Sequence, residues 1–173
     1  MKDIVVSEKE LHEICKRLGH ELTERYKDNV LPPVFIGVMK GALPFMMDLI
    51  REVECPILTD YVTISSYMGK ESTGVIKLKK DIDTDLTGRD VVIVEDIIDT
   101  GVTLEWFKEY LKNNYYPKDI SICVLLDKKC KRKCKNLETK NNFIYCACRS
   151  SFLFPFVQHI KICSNAKYHC QYE

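Results

Sequence analysis

The segment from Val91 to Leu104 constrains the fold of this chain more than any other stretch of its sequence. It begins with four consecutive β-branched residues, 91–94, a pattern typical of a strand buried on both faces of a sheet. Two adjacent carboxylates follow, a third comes after a short step, and Thr100 and Gly101 then open a run with helical spacing. A buried strand that turns directly into a helix is the building unit of an α/β sheet.

The same order of elements recurs along the chain. Ser7 and Glu10 have the spacing of a capping box, which predicts the start of a first helix. Periodicity predicts helices over 8–27, 42–53 and 100–113, and strands over 34–38, 58–67, 75–78, 91–94 and 120–126. Strands that alternate with helices predict an α/β fold, in which a twisted sheet of the parallel type is flanked by helices.

Length and composition favour one folded unit. A chain of 173 residues with 46% hydrophobic and 29% charged residues suits a single domain of ordinary globular type. No apolar run approaches the roughly 18 residues that a membrane helix needs, and the first residues turn polar too soon for a secretory signal. We therefore expect a cytoplasmic protein without a membrane partner.

The charge and the cysteines are unevenly distributed between two parts of the chain. Residues 1–127 carry 16 basic and 23 acidic side chains, whereas residues 128–173 carry 10 basic and 2 acidic ones. Six of the nine cysteines also lie after residue 129, while Cys15, Cys55 and Cys123 fall in apolar patterns that predict buried thiols. The two parts were composed under different constraints, so we predict a core over 1–129 and a divergent tail over 130–173.

The end of the strand at 91–94 carries the candidate chemistry. Ligands of open α/β sheets bind at the carboxyl ends of strands, and a helix N-terminus with a glycine binds phosphate readily. Glu95 and Asp96 suit the hydroxyls of a sugar and a hard cation such as Mg²⁺, and Asp99 is placed to handle a proton. The plainer alternative is a structural junction in which Asp99 or Thr100 caps the helix.

This segment closely resembles the phosphoribosylpyrophosphate-binding signature of type I phosphoribosyltransferases, and its residues 95–101 narrow the resemblance to the hypoxanthine-guanine phosphoribosyltransferases. The resemblance implies the type I fold with a small hood, here atypical. It implies that Asp99 accepts or hydrogen-bonds the purine N7 proton and that Glu95 and Asp96 hold ribose hydroxyls and Mg²⁺. It further implies that the 5′-phosphate is held by Asp99, Thr100, Gly101, Val102 and Thr103.

Three other segments resemble the same family. Lys40 and Gly41, after the strand at 34–38, resemble the pyrophosphate-binding loop, in which the peptide before the lysine can be cis. Ser66 and Tyr67 resemble the Ser-Tyr pair of the lid that closes over the reaction. Lys128 resembles the lysine that contacts the purine 6-oxo group. Taken singly, these residues could also form an ordinary turn, a hairpin tip and the start of a basic run.

The resemblance ends after about Lys133, where the stacking aromatic and the late residues of the family's hood are missing. Three explanations remain open for the tail: a diverged hood, a segment read in a shifted frame, or a metal site built from its cysteines and histidines. The basic run at 128–135 is also compatible with nucleic-acid binding, although such runs are more often solvated surface, so we expect no nucleic-acid partner.

Together these features predict an enzyme of purine salvage. It would transfer phosphoribosyl from phosphoribosylpyrophosphate to hypoxanthine or guanine, forming IMP or GMP and pyrophosphate, with Mg²⁺ as cofactor. By resemblance we also expect a homo-oligomer, either a dimer or a tetramer. The alternatives are a non-catalytic regulator that binds phosphoribosylpyrophosphate, nucleotide or RNA, and an enzyme inactivated by its altered tail.

Overall fold

The computed structural model describes residues 4–66, 76–127, 144–146, 159–163 and 167–171. Its helices are α1 (Glu8–Tyr26), α2 (Leu43–Arg51) and α3 (Val102–Tyr115). The strands of its larger sheet are β2 (Val34–Met39), β3 (Leu58–Ser66), β4 (Ile76–Lys80), β5 (Asp90–Ile98), β6 (Asp119–Asp127) and β7 (Ile144–Cys146). A smaller sheet contains β1 (Ile4–Val6), β8 (His159–Cys163) and β9 (Lys167–Gln171).

The larger sheet has the strand order β4-β3-β2-β5-β6-β7. All its neighbouring strands run parallel except β3 and β4, which form an antiparallel pair at one edge. On the edge strand β4, Lys77 and Lys79 are exposed, and charged side chains at such positions discourage pairing with another chain. The predicted α/β architecture with a sheet of the parallel type is confirmed.

Two apolar layers hold the sheet between its helices. On one face α1 and α2 pack against strand residues such as Phe35 and Val92, and on the other α3 packs against residues such as Ile36 and Ile93. Because successive side chains of a strand point to opposite faces, the continuous apolar runs fill both layers at once. This explains why the central strands read as unbroken hydrophobic segments.

The first helix forms as its sequence predicts. The hydroxyl of Ser7 accepts a hydrogen bond from the amide of Glu10 at 3.3 Å, and the Glu10 carboxylate accepts one from the amide of Ser7 at 2.8 Å. This capping box satisfies two backbone donors that the helix itself leaves unpaired. The three cysteines of the first part, Cys15, Cys55 and Cys123, are buried, as predicted.

The element boundaries differ from the predictions at the ends that face the candidate site. Strand β5 continues through Glu95 and Asp96 to Ile98, so these carboxylates lie within the strand and do not follow it. Strand β2 includes Met39, which the sequence placed in a turn, and α3 begins at Val102 instead of residue 100. Pairing with neighbouring strands extends β2 and β5, because a ladder satisfies backbone groups whatever the polarity of the side chains.

The tail contributes strands that its sequence does not predict. Strand β7 pairs parallel with β6 at the edge of the larger sheet, and the antiparallel strands β8 and β9 join β1 through β9. A small sheet therefore includes both the beginning of the chain and its tail. The predicted boundary between 129 and 130, and the basic run at 128–135, lie outside the described residues, so that division stays a prediction.

Among the described parts of the chain, no helix combines the length and the apolar character needed to cross a membrane.

Candidate active site

A cleft of about 260 Å³ opens at the carboxyl ends of β2, β3 and β5. This is the edge at which open α/β sheets bind ligands. Strand β2 and its following turn contribute Val38, Met39 and Gly41, and β3 contributes Ile64. The rest of the wall comes from the end of β5 and the start of α3, namely Glu95, Ile97, Ile98, Asp99, Thr100, Gly101, Thr103 and Leu104.

The start of α3 presents backbone donors at this cleft. Gly101 is its N-cap residue and has φ of 84°, a left-handed conformation that favours glycine. The first helical hydrogen bond runs from the amide of Glu105 to the carbonyl of Gly101 at 2.9 Å. Helix geometry therefore leaves the amides of Thr103 and Leu104 without an intrahelical acceptor, at the positive end of the helix dipole.

The alternative in which Asp99 or Thr100 caps this helix is wrong. The N-cap position belongs to Gly101, and it makes no side-chain capping bond. The hydroxyl of Thr100 accepts only a long hydrogen bond of 3.4 Å from the amide of Val102. Both side chains therefore line the cleft without serving as the cap of α3.

Glu95 and Asp96 form a close carboxylate pair at the end of β5. Glu95 is half-buried, and its Oε1 accepts a hydrogen bond from the amide of Asp96 at 3.1 Å. Burial, and then the hydrogen bond and negative charge of the Asp96 side chain, raise the pKa of Glu95 well above its usual range. A cation or hydrogen-bond donors would stabilise the ionised form of two carboxylates that lie this close together.

The turn after β2 packs directly on this pair. The backbone of Gly41 lies against the carboxylate of Asp96, which would have to move to make room for a side chain at position 41. The Met39–Lys40 peptide is cis, as the resemblance implied it could be, and the Lys40 side chain is exposed. A basic side chain is thus held on the turn next to the acidic end of β5.

Six of the predicted site residues line the cleft together: Gly41, Glu95, Asp99, Thr100, Gly101 and Thr103. Three others lie beside it, since Lys40 is exposed, Asp96 contacts Gly41, and the Val102 side chain is 44% exposed. Ser66 is the last residue of β3, and nothing further is described for it. Tyr67 and Lys128 lie outside the described residues.

The apolar residues of the cleft were not among the site residues predicted from the sequence. They are Val38, Met39, Ile64, Ile97, Ile98 and Leu104. Ile64 belongs to a strand whose position beside β2 depends on the tertiary pairing. For the residues of β2 and β5 a signal existed, because the last residues of parallel strands meet at the ligand-binding edge of the sheet.

The donor set fits one type of cation. Among the described residues, no group of three or more His, Cys, Asp or Glu side chains could hold a metal by itself. The close pair of Glu95 and Asp96 offers hard oxygen ligands only. Such a pair suits Mg²⁺, which keeps several waters and binds through one or two carboxylates together with substrate phosphates.

Comparisons with known proteins agree with this geometry. The family model described as the phosphoribosyl transferase domain matches residues 7–145, which extends beyond the core predicted from the sequence. The chain is 43% identical over 129 residues to the hypoxanthine-guanine phosphoribosyltransferase of Lactococcus lactis, covering 74% of this chain and 68% of that protein. It is 43% identical over 132 residues to the hypoxanthine phosphoribosyltransferase of Salmonella typhimurium, covering 76% and 74%. The crystal structure of a hypoxanthine phosphoribosyltransferase from Staphylococcus aureus matches with a TM-score of 0.74 and 34% identity, over 84% of this chain and 77% of that one.

Proposed function

Since this chain belongs to the hypoxanthine-guanine phosphoribosyltransferase family, we propose that it transfers the phosphoribosyl group of phosphoribosylpyrophosphate to hypoxanthine or guanine in purine salvage. The products are IMP or GMP and pyrophosphate. One observation carries the proposal: a single cleft brings the carboxylates of Glu95 and Asp99 against the amino-terminal end of α3. Acidic groups and a phosphate-binding helix end are both needed to hold a phosphorylated sugar.

The 5′-phosphate binds at the start of α3. The amides of Thr103 and Leu104 have no intrahelical acceptor, and the hydroxyls of Thr100 and Thr103 are available from the same wall. The helix dipole favours a dianion at this end. Gly101 has no side chain, so the backbone can approach the phosphate oxygens. Its left-handed φ would also strain a larger residue. Asp99 and Val102 complete the segment that surrounds the phosphate.

The ribose and the cation bind at Glu95 and Asp96. Vicinal hydroxyls donate to these carboxylates and relieve the repulsion between them. The same pair would hold Mg²⁺, which supplies positive charge that neutralises the pyrophosphate as it leaves. Lys40 and the backbone at Gly41 contact the pyrophosphate from the turn after β2, where Lys40 contributes a second positive charge.

Asp99 handles the proton of the purine. Its carboxylate is exposed and lines the cleft directly beside the phosphate-binding segment. As the C1–oxygen bond to pyrophosphate breaks, N9 of the purine forms a bond to C1, and the proton at N7 is held or accepted by Asp99. The electrons of the broken C1–oxygen bond leave with pyrophosphate. The purine gives up its N7 proton, which balances the charge.

The lid residues Ser66 and Tyr67 and the purine contact Lys128 remain part of the proposal through the family resemblance. Ser66 ends β3, which also supplies Ile64 to the cleft, so a closing segment after β3 would start at the cleft wall. We also propose a homo-oligomer and a cytoplasmic location. Sedimentation velocity of the purified chain tests the first, and fractionation of cells that express it tests the second.

The activity test follows the formation of IMP and pyrophosphate from hypoxanthine, phosphoribosylpyrophosphate and Mg²⁺. We expect equal amounts of both products, with kcat lowered about 100-fold or more by Asp99→Asn. The affinity for phosphoribosylpyrophosphate should change less than about threefold, because the amides of α3 remain in place. Asp28→Asn is the control, since Asp28 is exposed after α1 at the opposite edge of the sheet.

Two results would contradict the proposal. Tight binding of phosphoribosylpyrophosphate without product would identify a non-catalytic binder or an enzyme inactivated by its tail. Equal turnover of wild type and Asp99→Asn would remove Asp99 from its role and leave the activity without its proposed proton acceptor.

A further inference from the structure

On the basis of the proposed function, we infer that Asp81 is a positioning residue, which fastens the β3–β4 pair to α3 and thereby sets the separation of two walls of the cleft. Ile64 of β3 lines one wall, and Thr103 and Leu104 of α3 line another. Asp81 follows β4 directly and reaches α3 outside the cleft. Among the described residues, the hydrogen bonds of its carboxylate go to Tyr110, Tyr115 and Ile82, none of which we assign to substrate, so it acts through the elements that it joins.

The joint consists of one carboxylate and the side chains of two tyrosines. Oδ2 of Asp81 accepts a hydrogen bond from the hydroxyl of Tyr110, and Tyr115 also hydrogen-bonds to this carboxylate. Oδ1 of Asp81 accepts from the amide of Ile82 at 2.8 Å, which holds the carboxylate in one orientation. Two donors from α3 therefore meet an acceptor that belongs to the β3–β4 side.

The charges at this joint favour a stable bond. Burial raises the pKa of Asp81, but the hydrogen bonds from Tyr110, Tyr115 and Ile82 together with the charge of Lys80 outweigh it, so the pKa is lowered. Burial and then Asp81 raise the pKa values of Tyr110 and Tyr115. The carboxylate thus stays ionised and the hydroxyls stay protonated around neutral pH, which is the combination that a charge-assisted hydrogen bond requires.

An aromatic row connects the joint with the apolar layer under the cleft. The rings of Trp106 and Tyr110 stack at 5.4 Å between centroids, and Tyr115 lies 6.0 Å from Tyr110. Trp106 and Tyr110 pack against the same core cluster as Ile64 and Leu78 of the β3–β4 pair. Movement of α3 at Tyr110 would therefore disturb the contact between the two walls.

A second carboxylate fixes the other side of the joint. Asp60, buried in β3, accepts hydrogen bonds from the amides of Asp83 and Thr84, both at 2.9 Å, and Lys80 Nζ lies 3.4 Å from it. These bonds tie the segment that contains Asp81 to β3. Because that segment is held to β3 by Asp60, the bonds of Asp81 to α3 transmit the position of β3 to the helix.

The geometry of α3 relates the position of Tyr110 at the joint to the position of Thr103 at the cleft. Tyr110 follows Thr103 by seven residues, which is two helical turns, so both residues lie on nearly the same side of α3 about 10 Å apart. The continuous backbone hydrogen bonds of α3 transmit a displacement at Tyr110 to its first turn. If the bond at Tyr110 is lost, the donors near Thr103 shift relative to Ile64, and the phosphate site no longer matches its ligand.

The test compares Asp81→Ala and Tyr110→Phe with the control Asp85→Ala, since Asp85 lies in the same connection and its carboxylate accepts a local hydrogen bond from the amide of Thr87. We expect the two joint variants to raise KM for phosphoribosylpyrophosphate about three- to tenfold and to leave kcat within about twofold. The double variant should be no worse than Asp81→Ala alone, because that change already removes the bond to Tyr110. Asp85→Ala should behave like wild type.

Trp106 provides a readout that does not depend on the activity. It is the only tryptophan of the chain, so its emission reports on this contact without ligand. We expect a red shift of Trp106 emission in both joint variants, together with faster amide hydrogen exchange over 76–86. If wild type shows no turnover, the proposed function fails, and these two ligand-free measurements still decide whether Asp81 joins the elements.

Three results would overturn the inference. One is an unchanged KM in both joint variants. Another is an unchanged Trp106 signal and exchange rate. The third is a loss of kcat in parallel with thermal stability at constant KM, which would make Asp81 an ordinary structural residue.

Discussion

A Cβ atom at position 41 would lie 2.7 Å from Oδ2 of Asp96 and 3.0 Å from its Oδ1, so the backbone of Gly41 is in direct contact with the Asp96 carboxylate. This contact joins the turn that carries Lys40 to the acidic end of β5. The turn that we assign to pyrophosphate and a carboxylate that we assign to ribose are therefore in contact. Any side chain at position 41 has to displace one of them.

Gly41→Ala should weaken the binding of phosphoribosylpyrophosphate with Mg²⁺ by about tenfold or more, because the added methyl group pushes Asp96 away from its place. Titration calorimetry measures this affinity. The loss of folding stability should be about 1 kcal/mol or less, because the group that has to move is the end of a side chain. Gly88→Ala is the matched control: it has open space but φ of 68°, so it should lose stability and keep its affinity. Equal affinity of wild type and Gly41→Ala would contradict the prediction.

Asp60→Asn should destabilise the folded protein, and its loss of stability relative to wild type should be larger at neutral pH than at acidic pH. Burial raises the pKa of Asp60, but hydrogen bonds from Thr84, Tyr61 and Asp83 outweigh it and lower the pKa. An acid with a lowered pKa stabilises the fold above its unfolded pKa and loses that contribution as the pH falls through its folded pKa. We expect a deficit of about 2–3 kcal/mol at pH 7, measured by urea unfolding.

The deficit of Asp60→Asn should begin to shrink below about pH 4, where the carboxyl of the unfolded chain becomes protonated, and should disappear as the pH falls through the lowered pKa of the folded protein. A deficit that stays constant from pH 7 to pH 3 would mean that the ionised form of Asp60 is not what the surrounding amides stabilise. Asp28→Asn, at an exposed position after α1, serves as the control and should change stability little at either pH.

Tyr26→Phe should lower stability by about 1 kcal/mol and leave the activity unchanged. The Tyr26 hydroxyl and Ser121 Oγ form a buried hydrogen bond of 2.7 Å between α1 and β6. Ser121 lies near the start of β6, at the end of the strands opposite the cleft. Thermal unfolding and the activity assay measure the two effects. Tyr116→Phe is the control because Tyr116 is 71% exposed, and a similar loss in both variants would contradict the assignment.

Cys15 should resist alkylation by iodoacetamide at pH 8 as long as the protein is folded. Burial, and then the negative charges of Asp48 and Glu52, raise the pKa of its thiol to about 12, so the reactive thiolate is almost absent at this pH. Peptide mapping by mass spectrometry before and after denaturation measures the labelling. Rapid labelling of Cys15 in the folded protein would show that the thiol is accessible and ionised.

Much of the architecture follows from local patterns. Two examples are the capping box at Ser7 and Glu10, which predicts α1, and the apolar run at 91–94, which predicts β5. Both predictions succeed because helix caps and strand burial act over a few residues. The signature from Glu95 to Thr103 likewise predicts most of the cleft, since strand end, glycine and helix start are consecutive in the chain. For the tail, where the apolar period is unclear, the strands β7, β8 and β9 were not predictable in this way.

Contacts between distant parts of the chain could not be predicted in the same manner. The sequence suggests that Gly41 and Asp96 belong to one site, yet their direct contact depends on β2 and β5 being neighbours in the sheet. The wall at Ile64 and the joint of Asp81 with Tyr110 arise only when β3, β4 and α3 are assembled. Periodicity and capping are short-range effects that the order of residues carries, whereas these contacts depend on strand order and helix packing, which form only when the whole core is buried.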